Sequence, residues 1–134
     1  GVAEIGNDEF IEAWMRCCHG GFLLGREATR RMKPRGEGTI LFTGATASVK
    51  SYAGSSGFSV GKYGLRALAE SMARELAPEG IHVAHFIIDG HIGRDGADSR
   101  LDPDAIAETY YQTHAQHRSA WTWEVELRPW VERY

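Results

Sequence analysis

GTILFTGATAS (residues 38–48), followed a few residues later by GFSVGKYGLRALAESMARELAPEGIHV (57–83), is the stretch that decides the fold. At its head, TILFT (39–43) is a short apolar, β-rich run bounded by glycines. A run of that kind reads as a strand buried on both faces, as inside a parallel sheet. Residues 44–57 are rich in Gly, Ala and Ser and read as a loop. From 58 to 77 the apolar residues Val60, Tyr63, Leu65, Leu68, Ala69, Met72, Ala73 and Leu76 follow a helical pattern, which Pro78 and Gly80 end. IHVAHFII (81–88) is then a second buried strand.

Upstream, Asn7 or Asp8 caps a helix whose first turn carries Glu9, where negative charge suits the helix dipole. Phe10, Ala13, Trp14, Cys17, Cys18, Gly21, Leu24 and Ala28 keep a 3.6-residue period, and Pro34 stops a helix over 8–33. Downstream, 89–100 is a glycine-containing loop. Asp102 caps a third helix with Pro103 at its first position, running to about His117. WTWEVEL (121–127) alternates as a final strand near a sheet edge. Helix, strand, helix, strand, helix, strand implies an α/β fold with right-handed crossovers and a parallel sheet. All 134 residues read as part of a single domain.

The chain is 43% hydrophobic and 25% charged, an ordinary globular balance. Its net charge of −3 comes with scattered Arg and Lys, which argues against a nucleic-acid partner. No apolar run approaches the roughly 18 residues of a membrane span, and residues 1–10 do not read as a signal peptide. Adjacent Cys17 and Cys18 suit a reducing, cytoplasmic setting and do not form a metal pair.

These residues resemble the second half of the short-chain dehydrogenase/reductases. In that family a buried strand leads to a catalytic Ser, and about thirteen residues later Tyr-x-x-x-Lys opens a long helix. Here FSVGK (58–62) stands at the Tyr-x-x-x-Lys position, and ALAESMARELAPEGI is the most specific part of the match. The resemblance implies a partial Rossmann-like, doubly wound parallel sheet whose first strands are absent, a nicotinamide cofactor (NAD or NADP), and hydride transfer at a carbonyl or alcohol carbon of a small molecule. It places Phe58 at the Tyr position, Ala45 at the Ser position and Cys17 at that of a relay Asn, with Lys62 retained. A phenyl ring has no ionisable proton, and a methyl group cannot hold a carbonyl by hydrogen bonding. Thr46 takes over for Ala45 only if the loop shifts by one residue. The Pro-Gly-x-Ile/Val-x-Thr loop of the family becomes Asp89, Gly90, His91, Ile92, Gly93, Arg94. Gly90 and Ile92 then hold the carboxamide through backbone, and Arg94 meets a phosphate.

The glycine-rich pyrophosphate loop of the family has no counterpart within these residues, so the resemblance makes this a piece of a longer protein in which one edge of strand 39–43 needs a cover. It also implies a homodimer or homotetramer through helices 8–33 and 58–77, whose Gly21, Gly25, Gly61, Gly64, Ala67 and Ala73 suit close packing. The alternative is a catalytically inactive scaffold acting in nucleotide binding or assembly. Substitutes for the missing proton donor are Tyr52, Tyr63, His19 and His91, and loop Ser55, Ser56 and Ser59 are candidates to bind a carbonyl. His114 and His117 are spaced to share a helix face, while His82 and His85 in a strand point apart. Trp121, Trp123, Trp130 and Tyr134 read as core or subunit interface.

Overall fold

The computed structural model describes residues 1–133. Helix α1 (Asn7–Trp14) leads through a π-helical turn (Met15–His19) into α2 (Gly20–Met32). Strand β1 (Gly38–Ala45), helix α3 (Ser56–Leu76), strand β2 (Ile81–Ile88), helix α4 (Pro103–His114) and strand β3 (Glu124–Leu127) follow. The three strands form a parallel sheet in the order β1-β2-β3. Helices cover both of its faces.

β2 is buried along its whole length, because it has a strand on each side and helices above and below. One face of the sheet packs Ile40, Phe42, Ile81 and Val83 against Leu65, Ala69, Met72 and Leu76 of α3. The other packs Ala84, Phe86 and Ile88 against Leu101, Ile106 and Tyr110. Phe86 stacks on Tyr110 with ring centroids 3.7 Å apart. Fully buried side chains such as Phe86 and Leu76 each contribute about 1.5–3 kcal/mol.

The helix expected over 8–33 is real but not uniform. Gly6, not Asn7 or Asp8, is the N-cap, and no side chain caps α1. The π turn carries Cys17 and Cys18 to where the helix crosses α3. A Cβ on Gly61 would lie 2.6 Å from Cys17 Cβ, and one on Gly64 2.9 Å from Cys18 Sγ. Likewise a Cβ on Gly21 would lie 2.5 Å from Leu65 Cδ1. These glycines therefore bring two helices of one chain together.

Asp102 caps α4 as expected, accepting from the N–H groups of Asp104 and Ala105 with Pro103 at the first position. The helix ends at His114, three residues short of the expected end. His114 Nδ1 lies 2.8 Å from Thr39 Oγ1, whereas His117 caps the next short turn through Ser119, so the two do not share a helix face. The last strand is also shorter than 121–127. Trp121 leaves it to stack on His82 (4.7 Å, 2°), and Trp123 lies against Arg66 and His85. Trp130 is 80% exposed, and Tyr134 falls outside the described residues. His82 and His85 do point apart: His82 Nε2 meets Thr122 O, and His85 Nδ1 meets Glu124.

Candidate active site

The carboxy-terminal end of β1 and the first turns of α3 meet at the site. Phe58 and Lys62 are one helical turn apart and share a face. Lys62 Nζ donates to the Thr43 carbonyl at 3.2 Å and lies 5.7 Å from the centre of the Phe58 ring. Phe58 is half exposed, so its ring fills no core position. Ser55 and Ser59 hydroxyls pair at 2.8 Å, and Ser55 also closes the Tyr52 turn. They are spent on shaping the helix start.

Ala45 is the last residue of β1, opposite Ile88. Its N–H donates to Ser48 Oγ at 3.0 Å, and its side chain offers only a methyl group. Thr46 does not replace the missing hydroxyl. It donates to Asp89 Oδ1 at 2.6 Å, so its single hydrogen is committed. Asp89 Oδ2 in turn pairs with Arg128 at 3.2 Å. Thr46, Asp89 and Arg128 thus tie together the ends of β1, β2 and β3. The sequence reading missed this link. Its signal was an acidic residue directly after an apolar strand, where the family it resembles carries Pro.

Cys17 does share a cavity with Lys62. The cavity, of about 480 Å³, runs along the outer edge of β1 between Thr43, Leu24 and the π turn. Burial, then the neighbouring Cys17 thiol, pushes the Cys18 thiol above its ordinary value. A second cavity of about 570 Å³ opens at the strand ends and is lined by Thr46, Lys50, Tyr52, Asp89, Gly90 and His91, among others. Gly90 has φ +145°, and a Cβ there would lie 2.8 Å from Pro129 Cδ, so only glycine lets the loop pass. Ile92 is exposed and bridges to Leu101 through backbone. Arg94 is taken up by the start of α4: it pairs with Asp104 at 2.6 Å and Asp102 at 3.1 Å, contacts that raise its pKa.

The structure separates the candidate proton donors. Tyr52 and His91 line the larger cavity. Tyr63 lines neither cavity, and His19 lies between Trp14 and Phe22. Beneath the site, Arg66 grips Glu124 with two hydrogen bonds of 2.7 and 2.9 Å, and Glu124 also meets His85 Nδ1 at 3.1 Å. Burial would raise the Glu124 carboxyl, but the hydrogen bonds and charge of Arg66 outweigh it and hold the carboxyl below its ordinary value. His85 is fully buried, and burial lowers its pKa. Among the described residues no cluster of three His, Cys, Asp or Glu stands ready for a metal ion, and no helix is long and apolar enough to cross a membrane.

Comparison with known proteins fits this arrangement. The family model for short chain dehydrogenase matches residues 2–91. A solved short-chain dehydrogenase from Rhodopseudomonas palustris is 45% identical, with a TM-score of 0.84 over 96% of this chain and 56% of its own. An alcohol dehydrogenase from Thermococcus sibiricus, solved with 5-hydroxy-NADP, shares the fold at 21% identity and a TM-score of 0.84, covering 98% of this chain and 58% of its own. Among curated relatives, (21S)-21-acetoxyl-apo-melianone synthase SDR of Melia azedarach is 44% identical over 64 residues, which is 48% of this chain and 24% of the relative. The match thus spans about a quarter of that relative's length. With two thirds of its residues matched by the family model and the same strand-to-helix frame around Lys62, the chain belongs to the short chain dehydrogenase family.

Proposed function

We propose that this chain forms the substrate-side half of an oxidoreductase that moves a hydride between NAD or NADP and a carbonyl or alcohol carbon of a small molecule. The observation that carries the reading is Lys62. Its ammonium is anchored by one hydrogen bond to the Thr43 carbonyl. Two of its three hydrogens are left for other acceptors. That donor set fits the ribose hydroxyls at the nicotinamide end of a dinucleotide. Bound there, the nicotinamide ring would supply or accept the hydride.

Each remaining role falls to a residue of the chain. Lys62 orients the ribose. Gly90 and Ile92 offer backbone groups to the carboxamide, and the tight turn at Gly90 keeps that loop against Pro129. Phe58 closes the site beside Lys62 but moves no proton. Ala45 leaves the substrate oxygen without its usual side-chain donor. The proton comes from water or from Tyr52 or His91, which border the adjoining cavity. Arg94, held by Asp102 and Asp104 at the start of α4, is the residue of this loop that would meet a phosphate. Loss of a general acid typically costs about 10²–10⁴-fold, so slow turnover is expected. The exposed apolar residues Ile11, Met15, Phe22, Leu23 and Val60 on the helices support assembly of two or four copies in a cytoplasmic enzyme.

The test is dinucleotide binding to the full-length protein. Titration followed by nicotinamide fluorescence should show NADH or NADPH bound, and Lys62→Met should weaken binding by about tenfold. No binding of either cofactor at millimolar concentration sinks the proposal.

A further inference from the structure

His85 is a fully buried titratable side chain that the hydride-transfer scheme does not use. It stands on β2 between Phe42 of β1 and Glu124 of β3. Arg66 keeps Glu124 ionised, so the carboxylate can only accept, which puts the imidazole hydrogen on Nδ1, 3.1 Å away. Nε2 is then a buried acceptor, and among the described residues no donor meets it. A buried acceptor without a donor calls for a cause. What Nε2 faces is the end of β1. A Cβ on Gly44 would lie 2.3 Å from Nε2 and 2.6 Å from Ser48 Oγ, so the imidazole edge and the buried Ser48 hydroxyl converge on a bare glycine. Ser48 Oγ holds the Ala45 N–H at 3.0 Å, and the Thr43 carbonyl anchors Lys62 at 3.2 Å. His85 and Ser48 thus support Gly44 and Ala45, while Lys62 hangs from the carbonyl just before them. Arg66, one turn beyond Lys62 on α3, closes the circuit by returning to His85 through Glu124.

We propose that neutral His85 is a positioning residue: it fixes the end of β1, and through the Thr43 carbonyl the Lys62 ammonium, and a second proton on Nε2 releases both. Only the identity of what Lys62 holds, a dinucleotide, rests on the hydride-transfer reading. The charged groups that face the imidazole are Glu124 from β3 and Arg66 and Lys62 from α3. The end of β1 and the turn after it present Gly44 and the Ser48 hydroxyl, which carry no charge. A second proton sets a hydrogen against Gly44 where neutral Nε2 has a lone pair. It also sets a third positive charge beside Arg66 and Lys62, with one carboxylate to offset it. Ser48 then turns, the Ala45 N–H loses its acceptor, the strand end shifts and Lys62 loses its anchor. Burial first, and then the two cations, disfavour that proton, so the release comes below about pH 6.5, the ordinary value for histidine.

The experiment uses the full-length protein with NADH and NADPH. Fluorescence titration measures the affinity for each above and below about pH 6.5. Isotope-labelled lysine reports the Lys62 ε-methylene by NMR, and circular dichroism confirms the fold at each pH. Binding should weaken about fivefold on acidification, and the Lys62 resonance should shift with the same midpoint as the His85 imidazole. His85→Leu should bind about fivefold more weakly even above that pH. His85→Gln keeps a donor for Glu124 but does not titrate, so it should recover most of that loss and show neither acid step. A Lys62 resonance that ignores the His85 titration, or an acid step that survives in His85→Gln, overturns the positioning role. If neither dinucleotide binds while Lys62 still follows His85, the positioning role stands and the dinucleotide reading falls instead.

Discussion

At the residue scale, the site is defined by what two side chains lack. In the proposed hydride-transfer scheme Phe58 takes the place of a proton donor, its ring half exposed and 5.7 Å from Lys62 Nζ. Adding one hydroxyl there costs no core packing. Ala45 sits at the end of β1 and offers only a methyl group. Restoring both groups supplies an acid and a hydrogen bond to the substrate oxygen. The Phe58→Tyr, Ala45→Ser double variant should therefore reduce carbonyl substrates about 10²-fold faster than the parent at saturating cofactor. Phe58→Tyr alone should give the larger share. An unchanged kcat would show that the substrate is not seated against α3. The strand-to-helix frame that carries FSVGK was legible in the sequence, because it keeps its Lys and its spacing. The partner of Thr46 was not, since a hydrogen bond from residue 46 to residue 89 leaves no local pattern.

At the element scale, α3 carries Phe58 and Lys62, so whatever fixes α3 fixes the site. One turn beyond Lys62, Arg66 ties the helix to the start of β3 through Glu124, with Trp123 beneath the guanidinium and His85 behind the carboxylate. Strands and helices were legible from period and punctuation. This tie was not, because its members come from three elements. Arg66→Met leaves Glu124 largely buried without its cation. It should cost about 2 kcal/mol, read as a lowered urea midpoint. The same cluster predicts acid sensitivity. An unfolded histidine titrates near 6.5, while burial holds His85 lower, with Glu124 pulling the other way and Arg66 and Lys62 adding to the depression. Between those two values the unfolded chain binds the extra proton, so stability is full above about pH 6.5 and falls as the pH drops. Glu124, held below its ordinary value, adds a second loss that begins nearer pH 4.3. His85→Gln should flatten the first fall of Tm, which begins below about pH 6.5, and leave the second. An unaltered slope in that range would assign the acid sensitivity to other groups.

On the scale of the whole molecule, the sheet is asymmetric. β2 is enclosed, and β3 is a four-residue edge beside charged Glu124 and Glu126, which resists further pairing. β1 is different. All eight of its residues pair with β2 on one side, and among the described residues no strand pairs with the other. The cavity beside that edge is lined by Leu24, Ile40, Leu41 and Phe42, and Leu24 is 76% exposed. A long apolar edge with unpaired backbone groups invites another strand. Residues 1–134 expressed by themselves should accordingly self-associate through this edge, with the weight-average mass in light scattering rising with concentration. Leu24→Lys places a charge beside the edge at an exposed helix position, where it disturbs no packing, and should lower that association at equal folded content by circular dichroism. If the parent chain stays monomeric across the concentration range, the unpaired β1 edge does not drive association of these residues.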